Sequence, residues 1–201
     1  MRLESLHSLY VERLRDMRDA EDQILTALPK VIERVQHTEL RAALEKHLEE
    51  TRQQAGRLER IFDELDESPR GQKCKGMAGL LEEAEDLMKE KGDPGVIDAG
   101  IIDAAQHVEH YEIAGYGTLC TLAGLLGYDQ HETLLEQSLN EEKKADDTLT
   151  NLAERSINLD ALHSIDEREV RRRIESADRP ALRDRPLDER RPFFGEEEQR
   201  F

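Results

Sequence analysis

One stretch decides the predicted fold of this chain: Gln106–Tyr116, with the sequence QHVEHYEIAGY. It lies in a longer run where apolar side chains recur every three or four residues, which predicts an α-helix with one buried face. Glu109 and Glu112 fall on that apolar face, one helical turn apart. Because a buried carboxylate is unfavourable unless a cation neutralises it, this pair predicts a metal in the interior of a helical protein.

The same periodicity predicts three further long helices and one short helix. The long helices are expected at about 5–36, 39–65, 96–126 and 129–155, and the short one at about 77–90. Pro29 should kink or restart the first helix, because proline clashes with the preceding turn. Gly127 should end the third long helix as its C-cap. The predicted fold class is all-α: an antiparallel four-helix bundle with a short crossover helix and a C-terminal tail.

The composition changes after about Asn158, where Arg, Asp, Glu and Pro dominate. Such a composition is typical of a solvated tail. We therefore expect a bundle over residues 1–158. Residues 159–201 are expected to form a charged, Pro- and Arg-rich tail, partly disordered or docked on a partner subunit.

The overall charge excludes one class of partner. Acidic residues outnumber basic ones 46 to 29 and the net charge is −17, so no nucleic-acid partner is expected. No apolar run is long enough to span a bilayer, so no membrane is expected either. The start of the chain lacks an apolar signal core, which makes the cytoplasm the expected location. Cys74 and Cys120 are far apart in sequence and are expected to be reduced thiols.

Polar residues interrupt the apolar stripes of the other three long helices near their middles. These residues are Glu21, His47, Glu50, Gln54, Glu142 and Asp146. Glu21 and Glu50 are equidistant from the first predicted turn, and Glu112 and Glu142 from the second. At 1.5 Å per residue, each acid lies roughly 20 Å from its own turn, so the two hairpins should carry their acids at matching depth.

A cluster of buried carboxylates cannot stay ionised without cations, and oxygen ligands suit iron or manganese at a dinuclear site. The predicted metal ligands are Glu21, Glu50, Glu109, Glu112, Glu142 and Asp146. His47, Gln54 and His110 are the alternative ligands or hydrogen-bonding neighbours of ligands. Asp146 and Gln54 suit either role equally, whereas His131 is expected on the surface. Interior acids held in salt bridges without metal remain the alternative.

These segments resemble the YciE/YciF-type ferritin-like stress proteins, which are related to rubrerythrin-like bundles. The matching segments are Ala20–Ile24, Ala27–Lys30, His47–Thr51, Ala105–Leu119, Leu126–Tyr128 and Glu141–Lys143 with Asp146. The resemblance covers about residues 6–153. It implies a ferritin-like four-helix bundle, usually a homodimer, with a centre of two metal ions per chain, Fe or Mn.

The predicted function is a dimetal carboxylate protein of the stress response. A small oxidant, peroxide or O2, or iron itself would be its substrate, and peroxidase, catalase-like and ferroxidase reactions all remain open. No rubredoxin-like cysteine motif is present, so a self-contained rubrerythrin electron path is not expected. The alternative is a non-enzymatic helical stress or interaction protein with a structural metal or none.

Overall fold

The computed structural model describes residues 4–163, and within them every regular element is a helix. The elements are α1 (Leu6–Arg34), α2 (Thr38–Leu65), α3 (Lys75–Lys89), α4 (Pro94–Leu126), α5 (Asp129–Leu152), a π turn (Ala153–Ile157) and α6 (Asn158–His163). The prediction of an all-α bundle with a short crossover helix is confirmed. Most of the predicted tail lies outside the described residues.

Local sequence signals explain where the long helices begin and end. Ser5 caps α1 through a reciprocal pair of hydrogen bonds with Ser8. The Asp93 side chain accepts hydrogen bonds from the first backbone N–H groups of α4, which begins at Pro94. Gly127 ends α4 in the left-handed region, at φ 76°, as predicted.

Of the two outcomes expected at Pro29, a kink or a restart, the restart is wrong, because α1 continues through it to Arg34. Pro29 lies on the exposed side of α1. The backbone carbonyl that loses its helical hydrogen bond can therefore be satisfied by water, and the helix need not end.

Contacts between the ends of the two hairpins set the direction of each helix. Asp98, near the start of α4, accepts hydrogen bonds from the backbone N–H groups of Gln36 and His37 in the α1–α2 turn. At the other end, Tyr10 of α1 stacks on Tyr128 of the α4–α5 turn. Thus α4 runs antiparallel to α1 and parallel to α2, the arrangement that the crossover predicts.

Apolar side chains fill both ends of the bundle and leave its middle to polar groups. Leu14, Leu58 and Leu119 are fully buried towards the α4–α5 turn, and Leu40 and Ile101 towards the α1–α2 turn. The helix α4 packs against α1, α3 and α5, and α2 packs against α1 and α5. Along the described helices, no segment combines the length and apolar character needed to cross a bilayer.

Helical packing continues to the end of the described residues. In α6, Ala161 is buried against the start of α4, where its backbone lies 3.5 Å from the position of a Cβ built on Gly95. The predicted boundary at residue 158 thus falls at the start of a helix that packs on the bundle. The division into bundle and tail stays a prediction.

Candidate metal centre

A polar layer crosses the middle of the bundle and takes side chains from all four long helices. Its members are Glu21 on α1, His47 on α2, Glu109 and Glu112 on α4, and Glu142 on α5. None of them is more than 5% exposed to solvent. We refer to these five residues as the carboxylate layer. The spacing of these residues along each helix matches the apolar stripe, because each occupies an inward position that a leucine would otherwise hold.

Four members of the layer converge on one point. His47, Glu109, Glu112 and Glu142 each place a ligand atom so that all four atoms lie within 4.8 Å of one another. Nε2 of His47 lies 3.4 Å from Oε1 of Glu109 and 3.9 Å from Oε2 of Glu142. This group of one imidazole and three carboxylates could hold a metal ion.

Glu21 adjoins this group on the α1 side. Its carboxyl interacts with that of Glu112, since each of the two groups affects the pKa of the other. The hydroxyl of Tyr116 donates to Oε1 of Glu21 from a fully buried position. Glu21 is thereby fixed at the edge of the converging group.

Hydrogen bonding leaves much of the layer unsatisfied. Among the described residues, the buried side-chain atoms without a hydrogen-bond partner all belong to the carboxylate layer or to Gln54, apart from one nitrogen of Arg18. They include both carboxylate oxygens of Glu112 and both ring nitrogens of His47. Each such atom costs about 1–3 kcal/mol, so they seldom cluster without a partner. The unsatisfied oxygen and nitrogen atoms of the layer are of the kinds that coordinate a metal cation.

Burial raises the pKa of every carboxyl in the layer. The pKa of Glu21 is raised to about 8, first by burial and then by repulsion from Glu142. Burial raises the pKa of Glu109 and of Glu112 well above the ordinary value, and Glu142 again adds repulsion to both. Burial also raises the pKa of Glu142 itself. Without a cation, the layer therefore retains protons at neutral pH.

The carboxyl groups form two pairs across helix interfaces. Glu21 pairs with Glu112, between α1 and α4, and Glu109 pairs with Glu142, between α4 and α5. In each pair the α4 carboxyl, Glu112 or Glu109, is the one whose pKa its partner raises. The helix α4 thus contributes one carboxyl to each of two pairs, one shared with α1 and the other with α5.

A network behind Glu142 fixes its orientation. The amide nitrogen of Gln54 donates to Oε1 of Glu142 and also to Oε2 of Glu141, at 3.1 Å in the second case. Arg57 donates in turn to Glu141 and, at 3.0 Å, to the hydroxyl of Ser138. Gln54 therefore acts here as a hydrogen-bonding neighbour of a candidate ligand, one of its two predicted roles. Arg57 and Glu141 were not among the predicted site residues, and the one available signal was that Glu141 adjoins Glu142.

The structure does not bring Glu50 into the converging group. Its side chain is 19% exposed and pairs with Lys46 on the same helix. The inward stripe of α2 passes through His47, Thr51 and Gln54, and Thr51 is 1% exposed. Thr51 therefore takes the inward position that the sequence analysis gave to Glu50. Glu50 instead lines a cleft at the surface side of His47 and Glu109.

Asp146 and His110 lie together at the rim of the layer. Nε2 of His110 is 3.5 Å from Oδ1 of Asp146, and the His110 side chain is 59% exposed. Asp146 also accepts a hydrogen bond from Gln106. Its charge contributes to the raised pKa of Glu109, so Asp146 lies near the layer without joining the converging group.

The expected surface position of His131 is wrong. The residue is 5% exposed, with Nδ1 3.3 Å from the Tyr10 hydroxyl and Nε2 3.3 Å from Oε2 of Glu64. Its ring also lies against Tyr128. His131 precedes Leu135 by four residues on the buried stripe of α5, and that spacing was the available signal.

The fold and the site together define a class: antiparallel four-helix bundles with a buried layer of carboxylates and one histidine that could hold metal. Residues 5–162 match the model of a family described as "Domain of unknown function (DUF892)". The chain belongs to this family, which confirms the YciF-type resemblance. Protein YciF of Escherichia coli (strain K12) is 40% identical over 159 residues, which make up 79% of this chain and 96% of YciF.

Solved structures agree with this assignment. The crystal structure of the E. coli stress protein YciF covers 78% of this chain and 99% of its own, with a TM-score of 0.75 and 39% identity. YcfI from Rhodopseudomonas palustris covers 74% of this chain and 94% of its own, with a TM-score of 0.72 and 43% identity. A protein from Xanthomonas campestris pv. campestris, 22% identical with a TM-score of 0.64 and coverage of 80% and 98%, shares the fold.

Proposed function

We propose that this chain is a ferritin-like dimetal carboxylate protein that binds two Fe or Mn ions in the carboxylate layer. The observation that carries the proposal is the concentration of unsatisfied buried oxygen and nitrogen atoms on Glu21, His47, Glu109, Glu112 and Glu142. A layer of this kind without a cation is unfavourable, because each buried acid must be protonated or remain an unpaired charge.

Charge balance supports two ions rather than one. The layer holds the carboxyl groups of Glu21, Glu109, Glu112 and Glu142, all of them buried. When all four are ionised they supply four negative charges, and two divalent cations neutralise them if His47 binds as a neutral imidazole. The converging group would hold the ions, and Glu21 would complete the set from the α1 side. Glu50 and Asp146 remain proposed ligands, which would have to turn inward from the rim.

Bound iron or manganese would supply electrons to O2 or to peroxide, and in an oxidised state would accept electrons from peroxide. The chain's own residues orient the ligands and handle protons. Tyr116 fixes Glu21, and Gln54 fixes Glu142. The raised pKa values mean that protons leave the carboxyl pairs as metal enters. A role in the stress response follows by analogy with the E. coli stress protein YciF.

Metal content of the purified protein tests the proposal. Protein stripped of metal and loaded anaerobically with Fe(II) or Mn(II) should retain two ions per chain after gel filtration. Glu109→Ala should lose most of this capacity. Glu49→Gln is the matched control, because Glu49 is an exposed acid on α2 outside the layer. Less than one ion per wild-type chain would overturn the proposal.

The second candidate is a non-enzymatic protein in which the layer holds a structural metal or none. It is favoured by one observation: YcfI from R. palustris has been described, provisionally, as a structural protein. Consumption of peroxide and of O2 by the loaded protein separates the two candidates. Full metal content without turnover would favour the structural role.

The family resemblance also leads us to propose a homodimer. Sedimentation equilibrium of the full chain should give twice the monomer mass, and a single species at the monomer mass would contradict this part of the proposal.

A further inference from the structure

A second feature adjoins the carboxylate layer: an apolar pocket of about 50 Å³ beneath the crossover helix α3. Leu81, Ala84 and Leu87 of α3 cover it, and apolar side chains of α1 and α4, among them Ile24 and Ile101, form its walls. The polar side chains in its lining are His47 and Glu109, at its inner end. We call this space the α3 pocket.

His47 and Glu109 separate the α3 pocket from a polar cleft on the opposite side. That cleft, of about 40 Å³, lies between α2 and α5 and is lined by Lys46, Glu50 and Lys144 together with His47 and Glu109 themselves. The candidate metal centre therefore has two approaches, one apolar and one charged, and both are lined by His47, Glu109 and Leu44.

The chemistry of the α3 pocket excludes most polar occupants. Away from His47 and Glu109, water and peroxide would each lose hydrogen bonds on entering, because the aliphatic walls that make up the rest of the lining provide no partner. An ion would lose far more. A small apolar molecule loses nothing and gains dispersion contacts with the aliphatic walls. The volume exceeds the roughly 15 Å³ needed for one water-sized molecule, so a diatomic gas can enter.

We propose that the α3 pocket binds molecular oxygen and presents it at the His47–Glu109 edge of the carboxylate layer. This deepens the proposed function, on which its role rests, by naming O2 as the molecule delivered through the bundle. Ions and peroxide would use the polar cleft between α2 and α5.

Xenon is a suitable probe, because it is apolar, similar in size to O2 and visible by its anomalous scattering. Crystals of the metal-free protein pressurised with xenon should show an atom in the α3 pocket. In solution, dissolved O2 should broaden the methyl NMR signals of Leu81 and Leu87 more than those of Leu125, which is exposed at the surface. Ordered water in the pocket with no xenon peak would overturn the proposal.

Two substitutions that fill the pocket sharpen the test. Ala84→Leu and Ala104→Leu each add a side chain to its lining, from α3 and α4 respectively. Either should abolish the xenon peak, and using both protects against one variant failing to fold. Ala43→Leu is the matched control, because Ala43 lines the polar cleft and not the α3 pocket. Xenon binding that survives both pocket variants would contradict the assignment.

Metal content, measured on the same variants, keeps this inference separate from the proposed function. Wild-type protein that binds metal but no xenon would retain the proposed function and lose the α3 pocket as a gas site. Protein that binds xenon but no metal would keep the gas site and lose the proposed function. Loss of xenon in Ala84→Leu with unchanged metal content is the result we expect.

Discussion

Replacing Glu21 with the neutral residue glutamine should stabilise the metal-free protein at neutral pH. Glu21 is fully buried, and burial raises the pKa of its carboxyl from 4.5 to about 8. Between those two values the folded chain holds a proton that the unfolded chain has lost, so stability falls as pH rises. Each pH unit is worth about 1.4 kcal/mol, so the loss between pH 4.5 and pH 7 amounts to roughly 3 kcal/mol. Glu21→Gln removes this pH-dependent loss of stability and keeps an oxygen to accept the hydrogen bond from Tyr116.

Urea unfolding followed by circular dichroism, with a chelator present, measures the effect. Wild type and Glu21→Gln should have similar free energies of unfolding near pH 4.5. Glu21→Gln should become the more stable protein by pH 7. Comparing the two proteins at each pH cancels the contributions of other titrating groups. Added Mn(II) should reverse the order, because only wild type keeps the full set of carboxylates. A metal-free Glu21→Gln protein less stable than wild type at pH 7 would refute the reasoning.

Four further outcomes are expected. Leu58→Ala should lower the free energy of unfolding by about 3 kcal/mol in urea titrations, because Leu58 is fully buried. Gly127→Ala should lower it by about 1 kcal/mol in the same assay, since alanine is strained at φ 76°. Burial lowers the pKa of His131, so the free energy of unfolding should fall as the pH drops below 6.5. His131→Asn should weaken this pH dependence in urea titrations. His107→Asn, at an exposed site, should leave it unchanged. The Cys74 thiol is fully buried and its pKa is raised by burial, so it should react with Ellman's reagent much faster in denaturant than in the native protein.

The fold could be predicted from the sequence because the apolar stripes of the long helices are regular and their turns carry clear signals. Gly127 ends α4 where predicted, and Glu112 and Glu142 occupy buried positions on opposite sides of that turn. In these two helices each inward position is flanked by apolar neighbours three or four residues away. The inward direction of Glu109, Glu112 and Glu142 was therefore well determined, whereas Asp146, also predicted to point inward, lies at the rim.

The α2 side of the site could not be predicted in the same way. Polar residues fill the middle of α2, so the apolar stripe gives no local guide to which residue points inward. Glu50 and Thr51 differ by one residue, about 100° of rotation, and the structure places Thr51 inside. The α2 residue that joins the converging group is His47, which lies one helical turn before Thr51. The α3 pocket was also beyond prediction, because it depends on how side chains of four helices fill a shared volume.

The π turn after α5 has a consequence for aligning this chain with its relatives. Leu149 and Leu152 are buried at a normal helical spacing, but the next buried residue, Ile157, follows after five positions. A π turn holds one residue more than an α turn, so Ile157 still reaches the core. The segment Ala153–Ile157 is therefore the place where this chain would carry one residue more than a relative with a continuous α-helix. Relatives with an unbroken α-helix here should align with a one-residue gap inside this segment, and an alignment that forces continuity would displace α6 by one position.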